Sequence, residues 1–221
     1  MTKRIGCLHA HYSNIEYIKK SLSTYNIELL HFVDPGLMYR VTHDENFQEK
    51  AAQTKVKEQI EWMASCQLDA ILITCTNYIA ILNEESISVP IIKIDEPYFE
   101  YICNIQEPQV IFFTNPATVK GTMERLTNYA DMRRKSVDIE VSVINNTFEL
   151  FMQGKKEEYD YEITKYIRQK MNHEKKVISV AQLSMVNASR QVESQTSKNI
   201  INPLDTLIST MVRQLGIETK Q

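Results

Sequence analysis

The stretch DAILITCTN, at residues 69–77, decides the fold, because it joins an apolar run directly to a polar one. The β-branched segment AILI is typical of a strand that is covered on both faces, as in a parallel sheet. The polar residues that follow it are typical of the start of a helix. The stretch therefore predicts a strand-to-helix unit with Cys75 at the junction.

The same alternation of short apolar runs and amphipathic stretches continues along the chain. Between the apolar runs, apolar residues recur at three- and four-residue spacing, which predicts helices with one buried face. This pattern predicts an α/β protein with mostly parallel sheets flanked by helices. Seven strands are expected, at residues 4–9, 27–33, 69–74, 90–94, 109–113, 138–143 and 177–181.

Two similar lobes are predicted, because both halves of the chain share this strand-helix rhythm. The first lobe is expected to comprise residues 1–104 and the C-terminal helix at 203–221, and it carries Cys75. The second lobe is expected to comprise residues 105–202 and carries Gln182. Ligands of open α/β sheets bind beyond the carboxyl ends of the strands, so the site is predicted in the crevice between the lobes.

Composition and charge exclude several classes of function. The 221 residues carry a net charge of −3 with acidic and basic residues interspersed, which predicts no nucleic-acid binding. Only five glycines occur, and neither GxGxxG nor GxxxxGK[ST] is present, so no NAD, FAD or ATP site is expected.

Metal binding and membrane attachment are not predicted either. The four cysteines show no CxxC spacing, and the histidines lack partners at metal-ligand spacing, so no metal is expected. A signal segment and an apolar run of about 18 residues are missing, which predicts a cytoplasmic protein without a membrane span. The sequence leaves open whether the chain forms a homodimer.

Polar residues follow four of the predicted strands. They are Ser13–Glu16, which reads as a capping box, and then Thr74–Asn77, Thr114–Pro116 and Gln182–Ser184. Each group on its own can simply cap its helix. Several helix N-termini at one crevice would also bind an anion without a cationic side chain, which favours a small carboxylate as ligand.

Cys75 is the strongest candidate for a catalytic residue. A thiol at a helix N-terminus has its pKa lowered toward the thiolate, which can act as a base or nucleophile. The alternative is that Cys75 is a small buried hydrophobe. His11, in the first crevice loop, is the candidate base for the opposite face of a substrate, because imidazole titrates near neutral pH. Asp95 and Glu96 are either a carboxylate base or acids at the positive end of a helix.

Five segments together resemble the aspartate/glutamate racemase superfamily across nearly the whole chain: DAILITCTN, VPIIKIDEP, QVIFFTNPATVKGT, IEVSVINNTFELFMQG and VISVAQLSM. That superfamily includes amino-acid and hydantoin racemases, maleate isomerase and arylmalonate decarboxylase. The resemblance implies cysteine chemistry without a cofactor, and a small carboxylate or amino-acid-like substrate.

In the racemases, two cysteines lie on opposite faces of the substrate's α-carbon. Cys75 resembles the first, whereas Gln182 stands where the second is expected. Inversion by two bases needs a proton acceptor on one face and a donor on the other, and a neutral amide is neither. Mechanisms that need one thiol remain, namely covalent addition to a double bond or single-sided protonation after decarboxylation.

The resemblance implies an isomerase, racemase-like enzyme or lyase that acts next to a carboxylate through a single cysteine. A non-catalytic small-carboxylate-binding protein on the same fold is the alternative, and a doubly wound protein unrelated to the racemases is a third. The substrate-binding residues that the resemblance implies are Ser13, Asn14, Thr76, Asn77, Thr114, Thr118, Gln182 and Ser184.

Overall fold

A computed structural model describes residues 2–82, 87–171 and 175–220. The strands are β1 (Lys3–His9), β2 (Ile27–Val33), β3 (Ala70–Ile73), β4 (Ile91–Lys93), β5 (Gln109–Phe113), β6 (Ile139–Val143) and β7 (Val177–Val180). The α-helices are α1 (Asn14–Leu22), α2 (Pro35–His43), α3 (Glu49–Ala64), α4 (Thr76–Ile81), α5 (Asp95–Ile102), α6 (Val119–Met132), α7 (Phe148–Met152), α8 (Lys156–Met171), α9 (Val186–Thr196) and α10 (Pro203–Leu215).

The chain divides into two compact units, residues 1–96 with 207–221 and residues 97–206. The first unit contains a four-stranded sheet in the order β2-β1-β3-β4, and all of its neighbouring strands are parallel. All four residues of β3 are buried, as an apolar run covered on both faces requires. At Gly6, a Cβ atom would lie 2.4 Å from Leu68 Cδ1, so any side chain there would require the Leu68 side chain to move.

The second unit contains a three-stranded parallel sheet in the order β6-β5-β7. This order repeats β2-β1-β3 of the first unit, so β7 corresponds to β3 and β5 to β1. Helices α8 and α9 cover one face of the sheet, where Phe112, Tyr159 and Ile163 are fully buried. Phe113 and Leu126 belong to a separate buried cluster of the same unit.

The predicted fold class is confirmed, because both sheets are parallel and flanked by helices. All seven predicted strands form, with ends that differ by at most one residue. Asn202 caps α10, since its Oδ1 accepts hydrogen bonds from the amides of Leu204 and Asp205. None of the helices in the described ranges has the length and apolar character needed to cross a bilayer. The lobe boundaries expected at 104/105 and 202/203 stay predictions.

Candidate active site

The carboxyl ends of β1, β3 and β4 lie along one edge of the first sheet. Since these strands are parallel neighbours, the loop after each one starts at the same edge. The three loops begin with Ala10, Thr74 and Ile94, and the residues that follow include the predicted candidates His11 and Cys75. The first unit therefore presents several of the predicted site residues at a single edge.

Cys75 is the N-cap residue of α4 and has an extended backbone, with φ −121° and ψ 117°. Its side chain is partly buried and makes no capping hydrogen bond, but the nearby backbone amides of Tyr78 and Asn77 act to lower the pKa of its thiol. Thr76 and Asn77 occupy the first turn of α4 and are also partly buried. The thiol is thus held at a helix start, as the sequence predicts.

The acidity of Cys75 differs from the expectation. Burial raises the pKa of the Cys75 thiol above its ordinary value, and the negative charge of Asp95 raises that pKa further. The amides of Asn77 and Tyr78 lower the pKa but do not offset burial. The prediction of a lowered pKa is therefore wrong, because a helix of one and a half turns cannot compensate for the loss of water around the sulfur. Cys75 is a neutral thiol near pH 7.

Asp95, which the sequence leaves open between a carboxylate base and an acid at a helix start, lies near Cys75. Its side chain is 5% exposed at the start of α5, close enough for its charge to act on Cys75. Its position directly after β4, a neighbour of β3, explains why it lies near Cys75. A strand-end carboxylate beside a strand-end thiol is a pair of ionisable groups, typical of functional sites.

The capping box predicted from Ser13 to Glu16 does not form as expected. Ser13 is the N-cap of α1, but its side chain makes no capping hydrogen bond. Its Oγ lies 2.7 Å from His11 Nδ1, and its backbone amide also donates to that nitrogen at 3.3 Å. His11 is therefore a neutral imidazole with its proton on Nε2, and burial lowers its pKa. His11 competes with the helix amides for the Ser13 hydroxyl.

Asn14 connects the first loop to the residue before Cys75. Its Nδ2 donates to Thr74 Oγ1 at 3.2 Å, and Thr74 Oγ1 also bonds His9 Nδ1 at 2.8 Å and the carbonyl of Leu8 at 3.2 Å. Asn14 and Thr74 are thus linked within the protein, and Asn14 holds the loop after β1 against the end of β3. The role of Asn14 that this geometry supports is to position the loop that carries His11.

Gln182 follows β7, at the position that corresponds to Cys75 in the repeated strand order. Both residues have an extended backbone at a helical start, with φ −124° and ψ 142° for Gln182. Its Oε1 accepts three hydrogen bonds, from the Thr114 amide at 2.7 Å, the Thr114 hydroxyl at 2.9 Å and the Asn115 amide at 3.1 Å. The donors expected to hold a carboxylate are therefore already bound to an oxygen of the chain itself.

The hydrogen bonds around Gln182 continue into the buried core of the second unit. The Thr114 hydroxyl lies 3.0 Å from the Tyr159 hydroxyl, which lies 2.7 Å from Ser184 Oγ. The predicted residues Thr114, Gln182 and Ser184 are thus brought together through Tyr159, which the sequence analysis missed. Thr118 uses its hydroxyl locally, donating to the Asn115 carbonyl at 2.9 Å.

That no metal binds stays a prediction, but the described residues bring three potential metal ligands together. Cys7, His9 and His31 each offer one ligand atom, and these atoms all lie within 4.8 Å of one another. Spacing along the chain could not reveal the cluster, because His31 comes from a different strand. Burial and the neighbouring His31 lower the pKa of His9 to about 4, and burial and Lys19 lower that of His31, so both imidazoles are neutral near pH 7.

Comparison with known proteins identifies the fold. Neither known protein-family models nor curated proteins include a match to this sequence. Among solved structures, an aspartate racemase from Picrophilus torridus superposes with a TM-score of 0.72 at 13% identity, covering 99% of this chain and 96% of that one. An allantoin racemase from Klebsiella pneumoniae gives a TM-score of 0.67 at 15% identity, with 99% and 91% covered.

A third similar structure is the glutamate racemase of Francisella tularensis in complex with D-glutamate, with a TM-score of 0.65, 14% identity and coverage of 100% and 85%. All three are similar over nearly their whole length. The chain has the two-sheet α/β fold of the aspartate/glutamate racemases, which confirms the predicted resemblance at the level of fold.

Proposed function

We propose that the protein is a cofactor-independent enzyme that acts on the carbon next to the carboxylate of a small organic or amino acid, with Cys75 as its only thiol catalyst. The observation that carries this proposal is the position of Cys75 at the start of α4, near the backbone amides of Tyr78 and Asn77, which favour its thiolate form. The fold adds support, because the similar solved proteins are named as aspartate, allantoin and glutamate racemases.

The protonation state of Cys75 favours one chemical role. Because burial and Asp95 raise its pKa, the resting sulfur carries a proton and acts first as an acid. When a C–C bond of the substrate breaks and CO2 leaves, the bonding electron pair stays on the carbon next to the remaining carboxylate. This carbanion takes the proton of Cys75 on one face, which leaves a thiolate. The amides of Asn77 and Tyr78 then stabilise that thiolate until solvent returns the proton. This order suits single-sided protonation, as in an isomerase or lyase.

His11 is proposed as the second acid-base group, with Ser13 holding its orientation. Its neutral imidazole can donate the proton on Nε2, or accept one at Nδ1 if the contact with Ser13 opens. Asn14, Thr76 and Asn77 are proposed to bind or position the substrate at the same sheet edge. That His11 and Cys75 face opposite sides of one substrate stays a prediction.

Gln182 is proposed to be a donor to the substrate carboxylate. Its oxygen is bound to Thr114 and Asn115, while its amino group has no hydrogen-bond partner among the described residues. Thr114 and, through Tyr159, Ser184 would then position Gln182, and Thr118 would support the same loop. That one substrate uses the carboxyl edges of both sheets also stays a prediction.

The decisive experiment is incubation of the protein with dicarboxylates, amino acids and hydantoins in D2O. We would follow α-deuterium incorporation, double-bond isomerisation and CO2 release. Cys75→Ala should lower any turnover at least about 100-fold, as expected for loss of an acid-base group, whereas Cys66→Ala, at a partly buried cysteine after α3, should not. Turnover that survives Cys75→Ala would contradict the assignment.

The second candidate function is a non-catalytic small-carboxylate-binding protein. The specific observation in its favour is that Gln182, a neutral amide, stands at the position corresponding to Cys75 and is held by three hydrogen bonds. Binding of an organic acid without turnover, unchanged by Cys75→Ala, would support this alternative.

A further inference from the structure

Three potential metal ligands meet on one face of the first sheet, apart from the proposed catalytic thiol. Cys7 and His9 are two residues apart on β1, so their side chains point to the same face. His31 is the register partner of Cys7 on the parallel strand β2. The sulfur of Cys7 and one nitrogen of each histidine lie within 4.8 Å of one another. The convergence follows from strand register and requires no rearrangement of the backbone.

The two histidines are already arranged around a shared point. His9 Nε2 lies 2.9 Å from His31 Nδ1, and the two rings stack with centroids 5.2 Å apart. The other ring nitrogen of His9, Nδ1, lies 2.8 Å from Thr74 Oγ1. Metal-binding histidines usually hold their second nitrogen in this way, which fixes the tautomer and the ring orientation.

We propose that Cys7, His9 and His31 bind a thiophilic transition-metal ion such as Zn²⁺ through Sγ, Nε2 and Nδ1. One thiolate and two imidazoles are ligands that Zn²⁺ binds in proteins, with a water completing a four-coordinate site. The ion takes the place of the hydrogen bond between the two rings. The set contains no carboxylate, which disfavours Mg²⁺ and Ca²⁺.

The proton balance of binding is simple. The Cys7 thiol loses its proton to solvent, and its sulfur donates an electron pair to the ion. His9 keeps one proton, which sits on Nδ1 and is donated to Thr74 Oγ1, so Nε2 is free to bind. In the free protein the proton between the two rings sits on His31 Nδ1. His31 therefore changes tautomer on binding: Nδ1 gives its proton to solvent and binds the ion, while Nε2 takes one proton up. One proton is therefore released for each ion bound.

The burial of the three ligands indicates from which side a metal ion reaches them. Cys7 and His9 are completely buried, whereas His31 is partly exposed, so the ion reaches the cluster past His31. The positive charge of Lys19 acts on His31 and weakens the binding of any cation. His31 is consequently the ligand to change, because its replacement disturbs the core least.

The test is titration of the dialysed full chain with ZnCl2 by calorimetry, together with absorption spectra after addition of Co²⁺. We expect one Zn²⁺ per chain and a thiolate-to-cobalt charge-transfer band. His31→Gln should weaken Zn²⁺ binding at least about tenfold, since loss of even an outer-shell partner costs that much. His43→Gln, an exposed histidine on α2, is the matched control and should bind as the unchanged protein does.

Cys7→Ser should remove the cobalt band, and Cys75→Ala should keep it. If Cys7→Ser does not fold, as judged by circular dichroism, the comparison of His31→Gln with His43→Gln decides alone. Absence of saturable Zn²⁺ binding, equal binding by His31→Gln, or loss of the band in Cys75→Ala in place of Cys7→Ser would overturn the proposal. None of these measurements depends on turnover, so the metal site and the proposed activity are tested independently of each other.

Discussion

The side-chain oxygen of Gln182 accepts hydrogen bonds from both the backbone amide and the hydroxyl of Thr114, at 2.7 and 2.9 Å. Thr114 is 1% exposed, so water has little access to these donors. The Asn115 amide donates to the same oxygen at 3.1 Å. One amide oxygen therefore satisfies three donors at the carboxyl edge of the second sheet.

Removing this oxygen should destabilise the protein. Gln182→Met keeps the length of the side chain but leaves three donors without an acceptor, which should lower the free energy of unfolding by about 1–3 kcal/mol. Gln182→Glu retains an oxygen and should stay close to the unchanged protein. Urea denaturation of both variants checks this, and equal midpoints for Gln182→Met and the unchanged protein would contradict it.

The charge of Asp95 should control the reactivity of Cys75. Because Asp95 raises the pKa of the thiol, Asp95→Asn should lower that pKa and increase the thiolate fraction at a given pH. Alkylation of Cys75 by iodoacetamide between pH 7 and 9, followed by mass spectrometry of the peptide, should be faster in this variant. Glu96→Gln, a neighbour paired with Lys93, is the control. The same rate in Asp95→Asn and the unchanged protein would refute the coupling.

Asp160 should make the stability of the protein depend on pH. Burial raises the pKa of this carboxyl from its ordinary 3.8 to about 6, a hydrogen bond with Asn187 offsets only part of that effect, and Oδ1 has no hydrogen-bond partner among the described residues. Between pH 3.8 and about 6, Asp160 is mostly protonated in the folded protein and mostly ionised in the unfolded chain. The free energy of unfolding therefore falls as pH rises from about 4 to 6, and the loss is complete above that range.

Asp160→Asn removes this penalty. The variant should be more stable than the unchanged protein at pH 7.5 by about 1 kcal/mol, after allowance for the partial exposure of the group. The difference should shrink toward pH 4, where the aspartate is neutral in the folded protein. Thermal or urea unfolding at the two pH values measures it, with Asp131→Asn, an exposed carboxylate on α6, as control. A gain that is the same at both pH values would argue against titration of Asp160.

Sequence reasoning performs well where a short segment carries its own physical constraint. The run AILI before Cys75 and the run QVIFF of β5 can be buried only as strands, and both form where predicted. Cys75 was found for the same reason, because it lies at the junction of an apolar strand and a polar helix start. The thiol's position is thus a local property of the chain.

What the sequence could not provide depends on residues that are distant along the chain. The pKa of Cys75 is set by burial and by Asp95, which only the pairing of β3 with β4 brings near. The cluster of Cys7 and His31 exists because two parallel strands pair in one particular register. The failed capping box at Ser13 has a different cause, since the Ser13 hydroxyl bonds His11 Nδ1 and accepts no hydrogen bond from the helix amides.

The three-donor contact of Gln182 also limits how this scaffold could be redesigned. A cysteine introduced at that position has too short a side chain to reach the amides of Thr114 and Asn115, so those groups would lose their acceptor. An engineer who wanted a second thiol would have to rebuild the turn after β5 as well, for example by replacing the Thr114 hydroxyl and supplying a new oxygen from a neighbouring side chain. A single substitution of Gln182 by cysteine would thus lower the folding stability and would leave the new sulfur too far from Thr114 and Asn115 to replace the lost acceptor.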